Sequence, residues 1–152
     1  MPLNSFKKEL PMYEKFDWDD RLLTGIKDID KDHIKLFSFI NNLLQEAEGN
    51  KSHAVISVTI SELIDYASSY FKREEAYMEE WGYPDFEQTQ AQHISLTEEV
   101  IEIAENFEKN SENVDIEWFA EFLIDWLTHH INERDMAYVE YLKSNPPENL
   151  PE

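Results

Sequence analysis

The sequence predicts an all-α chain, an antiparallel up-down-up-down four-helix bundle preceded by an N-terminal arm. Three observations carry this. Glycine and proline are scarce, 3 and 6 of 152 residues, and they fall at the ends of long segments rather than inside them. Within those segments apolar residues recur at spacings of three and four, the period of a helix with one buried face. No hairpin signal or period-two run competes.

The first helix covers 28–48, with Gly25 before it and Gly49 closing it; Ile29, His33, Leu36/Phe37, Ile40 and Leu43/Leu44 share one face. The second covers 52–81, carries Ile56, Ile60, Leu63, Ala67, Tyr70, Glu74, Tyr77/Met78 and Trp81, and is closed by Gly82 and Pro84. The third starts at Asp85, an N-cap whose Gln88 three residues on reads as a capping box. Phe86, Thr89, His93, Leu96, Val100, Ile103 and Phe107 form its stripe. The fourth starts near Asp115 and carries Phe119, Phe122/Leu123, Trp126/Leu127, His130, Tyr138 and Tyr141/Leu142. Short links between amphipathic helices make sequential helices antiparallel neighbours. The chain therefore reads as one domain over 1–152: an arm (1–27), the bundle (28–143) and a loose tail (144–152). In the arm, Phe16, Trp18 and Leu22/Leu23 are apolar enough to cover one end of the bundle.

Composition narrows the function. Apolar residues make up 41% and aromatics 13%, too many for a disordered chain despite 30% charge. Acidic residues outnumber basic ones 33 to 13, for a net charge of −20. Such a surface repels a phosphate backbone or an anionic bilayer, so neither nucleic acid nor membrane is an expected partner. There is no cysteine, which excludes disulfides, thiolate clusters and thiol nucleophiles; any metal must be held by imidazole and oxygen. Met1–Leu10 has no signal-peptide core, and no segment reaches membrane-span length. A soluble cytoplasmic protein is the expectation.

The inward stripes nevertheless carry His33, Glu74, His93 and His130, with Asp135 beside them. Burying an unpaired carboxylate costs several kcal/mol, and a metal between facing helices is one compensation. Each residue alone has a plainer reading, a hydrogen-bonded core histidine or a paired glutamate. Their joint occurrence on four helices favours a metal, and the His/carboxylate donor set suits Fe, Mn or Zn over Mg or Ca. Asp135 does not follow from periodicity: it lies five residues after His130, about 140° round an α-helix. His53 and His129 read as solvated, the many other glutamates as an outer coat, and Trp18, Trp81, Trp118 and Trp126 as packing residues.

Three stretches resemble the bacterial hemerythrins: GIKDIDKDHIKLFSFIN from Gly25, YASSYFKREEAYMEEWGYP from Tyr66, and WLTHHINERDMAY from Trp126. The resemblance spans residues 16–142 without a large insertion. It implies a four-helix bundle around a non-haem di-iron centre that binds dioxygen, held by five histidines and bridged by one Glu and one Asp. Carried over residue by residue, it implies metal ligation by His33, Glu74, His93, His130 and Asp135. Two family histidines are absent: Tyr70 stands four residues before Glu74, and Thr89 four residues before His93. Each metal is thereby short of one nitrogen. Tyr70 is a candidate ligand, since a tyrosinate is a hard oxygen donor that favours Fe(III), or alternatively a hydrogen-bond donor. Thr89 leaves a position that water can fill, an open site. Asp32, Glu75 and Tyr138 are candidates to support the ligands.

Three functions stay open from sequence. The first is a dioxygen-binding, carrying or sensing protein with two irons, or with one metal or another transition metal. The second is an oxidase- or peroxidase-type iron enzyme using the open site. The third is a metal-poor bundle serving as an interaction module.

Overall fold

A 3-10 turn (Asp20–Leu22) leads into α1 (Lys27–Glu48), α2 (His53–Glu80), α3 (Phe86–Lys109) and α4 (Ile116–His129); a second 3-10 turn (Ser111–Asn113) precedes α4. The last helix continues through a π-helical segment (His130–Asp135) into α5 (Met136–Ser144). This computed structural model describes residues 20–147, with no strand among them; Phe16 and Trp18 of the arm lie outside the described residues. The helix α1 lies against α2 and α4, and α2 against α3, as short antiparallel connections require.

The helix ends show how local sequence sets the bundle. Ile26 offers no capping side chain to α1. Instead Asp30, one turn in, reaches back and accepts from the Thr24 amide (2.7 Å), the Thr24 hydroxyl (2.7 Å) and the Gly25 amide (3.1 Å), an anion placed at the positive end of the helix. At the other end Gly49 has φ −83°, and Asn50, at φ 51°, takes the left-handed position. The Asn50 and Lys51 amides then bond Ala47 O and Glu46 O, a Schellman closure built on asparagine. The end of α2 repeats this with Gly82 at φ 65°: the Gly82 amide bonds Glu79 O and the Tyr83 amide bonds Met78 O. Ser52 caps α2 and Asp115 caps α4 through their side chains. The capping box expected at Asp85 does not form. The Asp85 side chain makes no cap bond, and its carbonyl takes the Thr89 amide and hydroxyl instead.

The core has two chemically distinct parts. Leu43, Leu44, Ile60, Leu63, Phe107, Phe119 and Leu123 form an aliphatic and aromatic half, each contributing roughly 1.5–3 kcal/mol by leaving water. The other half holds the polar residues. Two packing expectations need correction. Trp118 is 38% exposed and stacks on Phe122 at the surface. Glu121 is 1% exposed, so the acidic coat is not wholly external. In the arm, Leu22 is buried but Leu23 faces solvent.

The π-helical segment settles the five-residue step. The buried stripe Ile116, Phe119/Ala120, Leu123, Leu127, His130 advances by threes and fours. Asp135 follows His130 by five residues, past the fully buried Ile131, and the stripe resumes with Tyr138 and Leu142. Hydrogen bonds of the i→i+5 type absorb the one extra residue. Asp135 therefore returns to the inward face on which His130 stands.

Candidate metal centre

All six residues singled out above meet in the bundle interior: His33 from α1, Tyr70 and Glu74 from α2, His93 from α3, and His130 and Asp135 from the two ends of the π segment. None is more than 4% exposed. Tyr70 and Glu74 are i, i+4 and so stack on one face of α2.

The two carboxylates each turn one oxygen to either side. Glu74 Oε1 lies 3.0 Å from both His93 Nε2 and His130 Nε2, while Oε2 accepts from Tyr70 Oη at 3.0 Å. Asp135 Oδ1 lies 3.3 Å from His130 Nε2, while Oδ2 lies 2.8 Å from His33 Nε2 and 3.2 Å from Tyr70 Oη. His33 Nε2 is 2.8 Å from the same phenolic oxygen. The donor atoms thus fall into two groups, Glu74/His93/His130 and His33/Glu74/Asp135. Within each group the ligating atoms lie within 4.8 Å of one another.

This arrangement fits a cation. Glu75 Oε2 accepts from His93 Nδ1 at 2.7 Å, and its other oxygen, Oε1, accepts from Gln90 Nε2 at 3.0 Å. When Nδ1 donates to Glu75, His93 turns Nε2 toward a carboxylate oxygen of Glu74, and positive charge between the two, a proton or a metal ion, satisfies both. The ionisation of the cluster shows the same demand. Burial pushes Asp135 well above the usual carboxylate range, and the Glu74 charge beside it pushes further. For Glu74, burial works upward, but the facing His130 charge and hydrogen bonds from Asp135, His130 and His93 hold it well below that range. Tyr70 is driven well above an ordinary phenol by burial and by the Asp135 and Glu74 charges. Burial lowers His33 to about 4, against the pull of Glu74, Asp30 and Asp32, so it is neutral and able to donate a lone pair. Two acids and a phenol crowd one space, and one proton is retained where a metal ion would replace it.

Aromatic rings fix the imidazoles. Phe71 stacks on His93 (4.0 Å between centroids, 11°), and Trp126 stacks on His130 (4.8 Å, 10°). An apolar cavity of about 50 Å³, lined by residues including Leu36, Ile40, Leu63, Leu96 and Leu127, reaches Tyr70, Phe71 and Trp126.

Comparison with known proteins places the chain in a family. The family model "Hemerythrin HHE cation binding domain" matches residues 24–142. The chain belongs to the hemerythrin family. Its members are non-haem iron, oxygen-binding proteins. The bacteriohemerythrin of Pseudomonas paraeruginosa is 36% identical over 131 residues, covering 86% of this chain and 84% of the relative. That of Stenotrophomonas maltophilia is 32% identical over 128 residues, covering 84% and 82%. A crystal structure of wild-type hemerythrin superposes with a TM-score of 0.76 at 28% identity, covering 82% of this chain and 95% of that one.

Seen as a hemerythrin, the chain shows where its two substitutions lead. Tyr70 puts its oxygen among the donors of one half. Thr89 does not do so in the other half: it is fully buried, but its hydroxyl bonds Asp85 O at 3.2 Å. Of the expected supporting residues, Glu75 holds His93. Asp32 does not join the site. It pairs with Arg73 through two 2.8 Å bonds and accepts from Tyr66 Oη at 2.7 Å. Tyr138 packs its ring on Tyr83 and Trp81, and its buried hydroxyl has no partner among the described residues. His53 and His129 are exposed, the first against Glu108 and Phe107, the second on the Asp125 carbonyl. Phe71, absent from the sequence stripe, was legible as the apolar neighbour of Tyr70 on a helix that is buried over a wide face.

Proposed function

We propose that the protein is a carboxylate-bridged, non-haem di-iron hemerythrin that binds dioxygen, with His33, Tyr70, Glu74, His93, His130 and Asp135 as metal ligands. The observation that carries this is the splitting of both carboxylates, one oxygen to each of two donor groups that share Glu74. Iron, when bound, supplies the redox-active centre at which dioxygen is taken up. The chain's own residues do the rest. Glu75 fixes the His93 tautomer so that Nε2 faces inward. Phe71 and Trp126 set the planes of His93 and His130. The apolar cavity offers a small uncharged molecule a dry place beside Tyr70, and dioxygen is of that kind.

Residues 1–152 act in this reading as one domain. The acidic surface argues against nucleic acid and anionic membranes as partners, and no described helix is long and apolar enough to cross a membrane. A cytoplasmic site of action accords with both.

A second reading, an oxidase- or peroxidase-type enzyme, is favoured by Thr89. Its hydroxyl is engaged with the helix backbone, so the His93/His130 half has two nitrogens and one donor position that this chain does not fill. One experiment separates the readings: metal analysis of the purified protein, then visible spectra of the anaerobically reduced form before and after dioxygen is admitted. A spectrum that changes with dioxygen and reverses on its removal supports binding. One that changes irreversibly, with turnover of added peroxide or reductant, supports the enzyme. Substoichiometric metal after growth in iron-replete medium, with no spectral response, contradicts both and leaves an interaction module.

A further inference from the structure

We propose that the two halves of this centre take unlike ions, a trivalent one beside Tyr70 and a divalent one between His93 and His130. The inference rests on the metal-centre reading above and adds ion selectivity to it.

Glu74 and Asp135 each turn one oxygen toward either half, Asp135 lying nearer His33 (2.8 Å) than His130 (3.3 Å). What differs is the unshared pair of donors. One half has two imidazoles, both neutral as ligands. The other has one imidazole and the phenolic oxygen of Tyr70. Imidazole suits divalent iron and zinc, whereas hard anionic oxygen suits a small, highly charged ion. Tyr70 loses its proton to solvent as the ion binds, one proton per ion, and adds one negative charge to its half. That single unit is the charge difference between a divalent and a trivalent ion. In a buried centre unmatched charge is strongly disfavoured, so the donors sort the ions.

Position supports the same conclusion. Tyr70 is fully buried and packed edge-on against His33 (5.2 Å, 72°). Its oxygen already lies within 2.8–3.2 Å of His33 Nε2, Glu74 Oε2 and Asp135 Oδ2, at the meeting point of that half's donors.

The test uses the full chain, stripped of metal. It is loaded with one equivalent of iron as ferric nitrilotriacetate, then with excess Zn(II), and freed of unbound metal. The expected product holds one iron and one zinc per chain. It shows a broad visible phenolate-to-ferric band and the electron paramagnetic resonance of an isolated high-spin ferric ion, since zinc is diamagnetic. Tyr70→Phe, checked for folding by circular dichroism and melting, should keep its zinc but lose the band and its retained ferric iron. Tyr70→His should take two divalent ions and show no such band. Wild-type protein that binds two zinc or two iron indifferently, without the band and with a ratio unaltered in Tyr70→Phe, overturns the inference while the metal centre stands. A chain that retains no metal under any order of loading overturns both.

Discussion

Glu75 sits on the face of α2 next to Glu74, yet its task differs: it accepts a hydrogen bond from His93 Nδ1 and so aims Nε2 inward. A carboxylate behind a metal-bound imidazole fixes its orientation and raises its basicity. Glu75→Gln should therefore leave the fold intact and weaken iron retention by roughly 10–100-fold, read from competition with a chelator. Asp135 gives a prediction of opposite sign for stability. In metal-free protein its carboxyl is held well above the ordinary value of 3.8 by burial and by Glu74. Below that ordinary value both folded and unfolded chains carry the proton and the contribution is fully present. As pH rises, the unfolded chain releases the proton while the folded one keeps it, so stability is lost. Asp135→Asn should be more stable than the chelated wild type at neutral pH, by about 1–4 kcal/mol. The gap should shrink toward pH 4 in urea titrations, and the variant should hold little metal. His33, lowered to about 4, slopes the other way: its contribution is lost as pH falls from 6.5 toward 4. The comparison must therefore be made against the variant and not from the wild-type pH profile alone. At this scale His33, Glu74, His93 and His130 were legible because polar groups on an apolar stripe stand out. Glu75 was legible only as a neighbour, since the ring nitrogen it meets belongs to another helix. Asp32 misled for the same reason: nothing local to α1 reveals Arg73 across the interface.

Among the elements, the π segment is where pattern and geometry part. The inward His130 and Asp135 stand five residues apart across a π-helical segment, an α-helix with one residue inserted, and such insertions frequently mark functional sites. That signal was present in the sequence, but the uniform 3.6 period could not use it. Deleting Asn132, which is exposed, restores four-residue spacing to the stripe. The deletion should leave helix content unchanged by circular dichroism and lower iron content, because the carboxylate leaves its place between His33 and His130. The Schellman closure at Gly82 yields a stability prediction. A Cβ there meets nothing within 4 Å, so Gly82→Ala tests backbone conformation alone and should cost about 1–2 kcal/mol for the left-handed φ. The four helices and their ends near Gly49, Gly82 and Asp115 were legible within a few residues. The Asp85 capping box failed because its signature names side chains without fixing the backbone angles that bring them together.

Among the described residues, the centre brings polar groups from all four helices of the bundle together. Metal binding there is coupled to folding, because the donors assemble only in the folded chain. At a free ion concentration 1,000-fold above its dissociation constant a ligand adds about 4 kcal/mol, and a domain of this size shifts by roughly 2–4 °C per kcal/mol. Chelation should therefore lower the melting temperature by roughly 10 °C, and re-addition of iron should restore it. The loss should come without loss of helix content below the transition, since the aliphatic half of the core is untouched. Anomalous X-ray scattering at the iron edge, from crystals of iron-loaded protein, is the most direct test of the centre itself. Two peaks are expected, one among His93, His130 and Glu74 Oε1, the other among His33, Tyr70 and Asp135. Crystals of loaded protein in which those side chains bond only one another, with no iron between them, would contradict it.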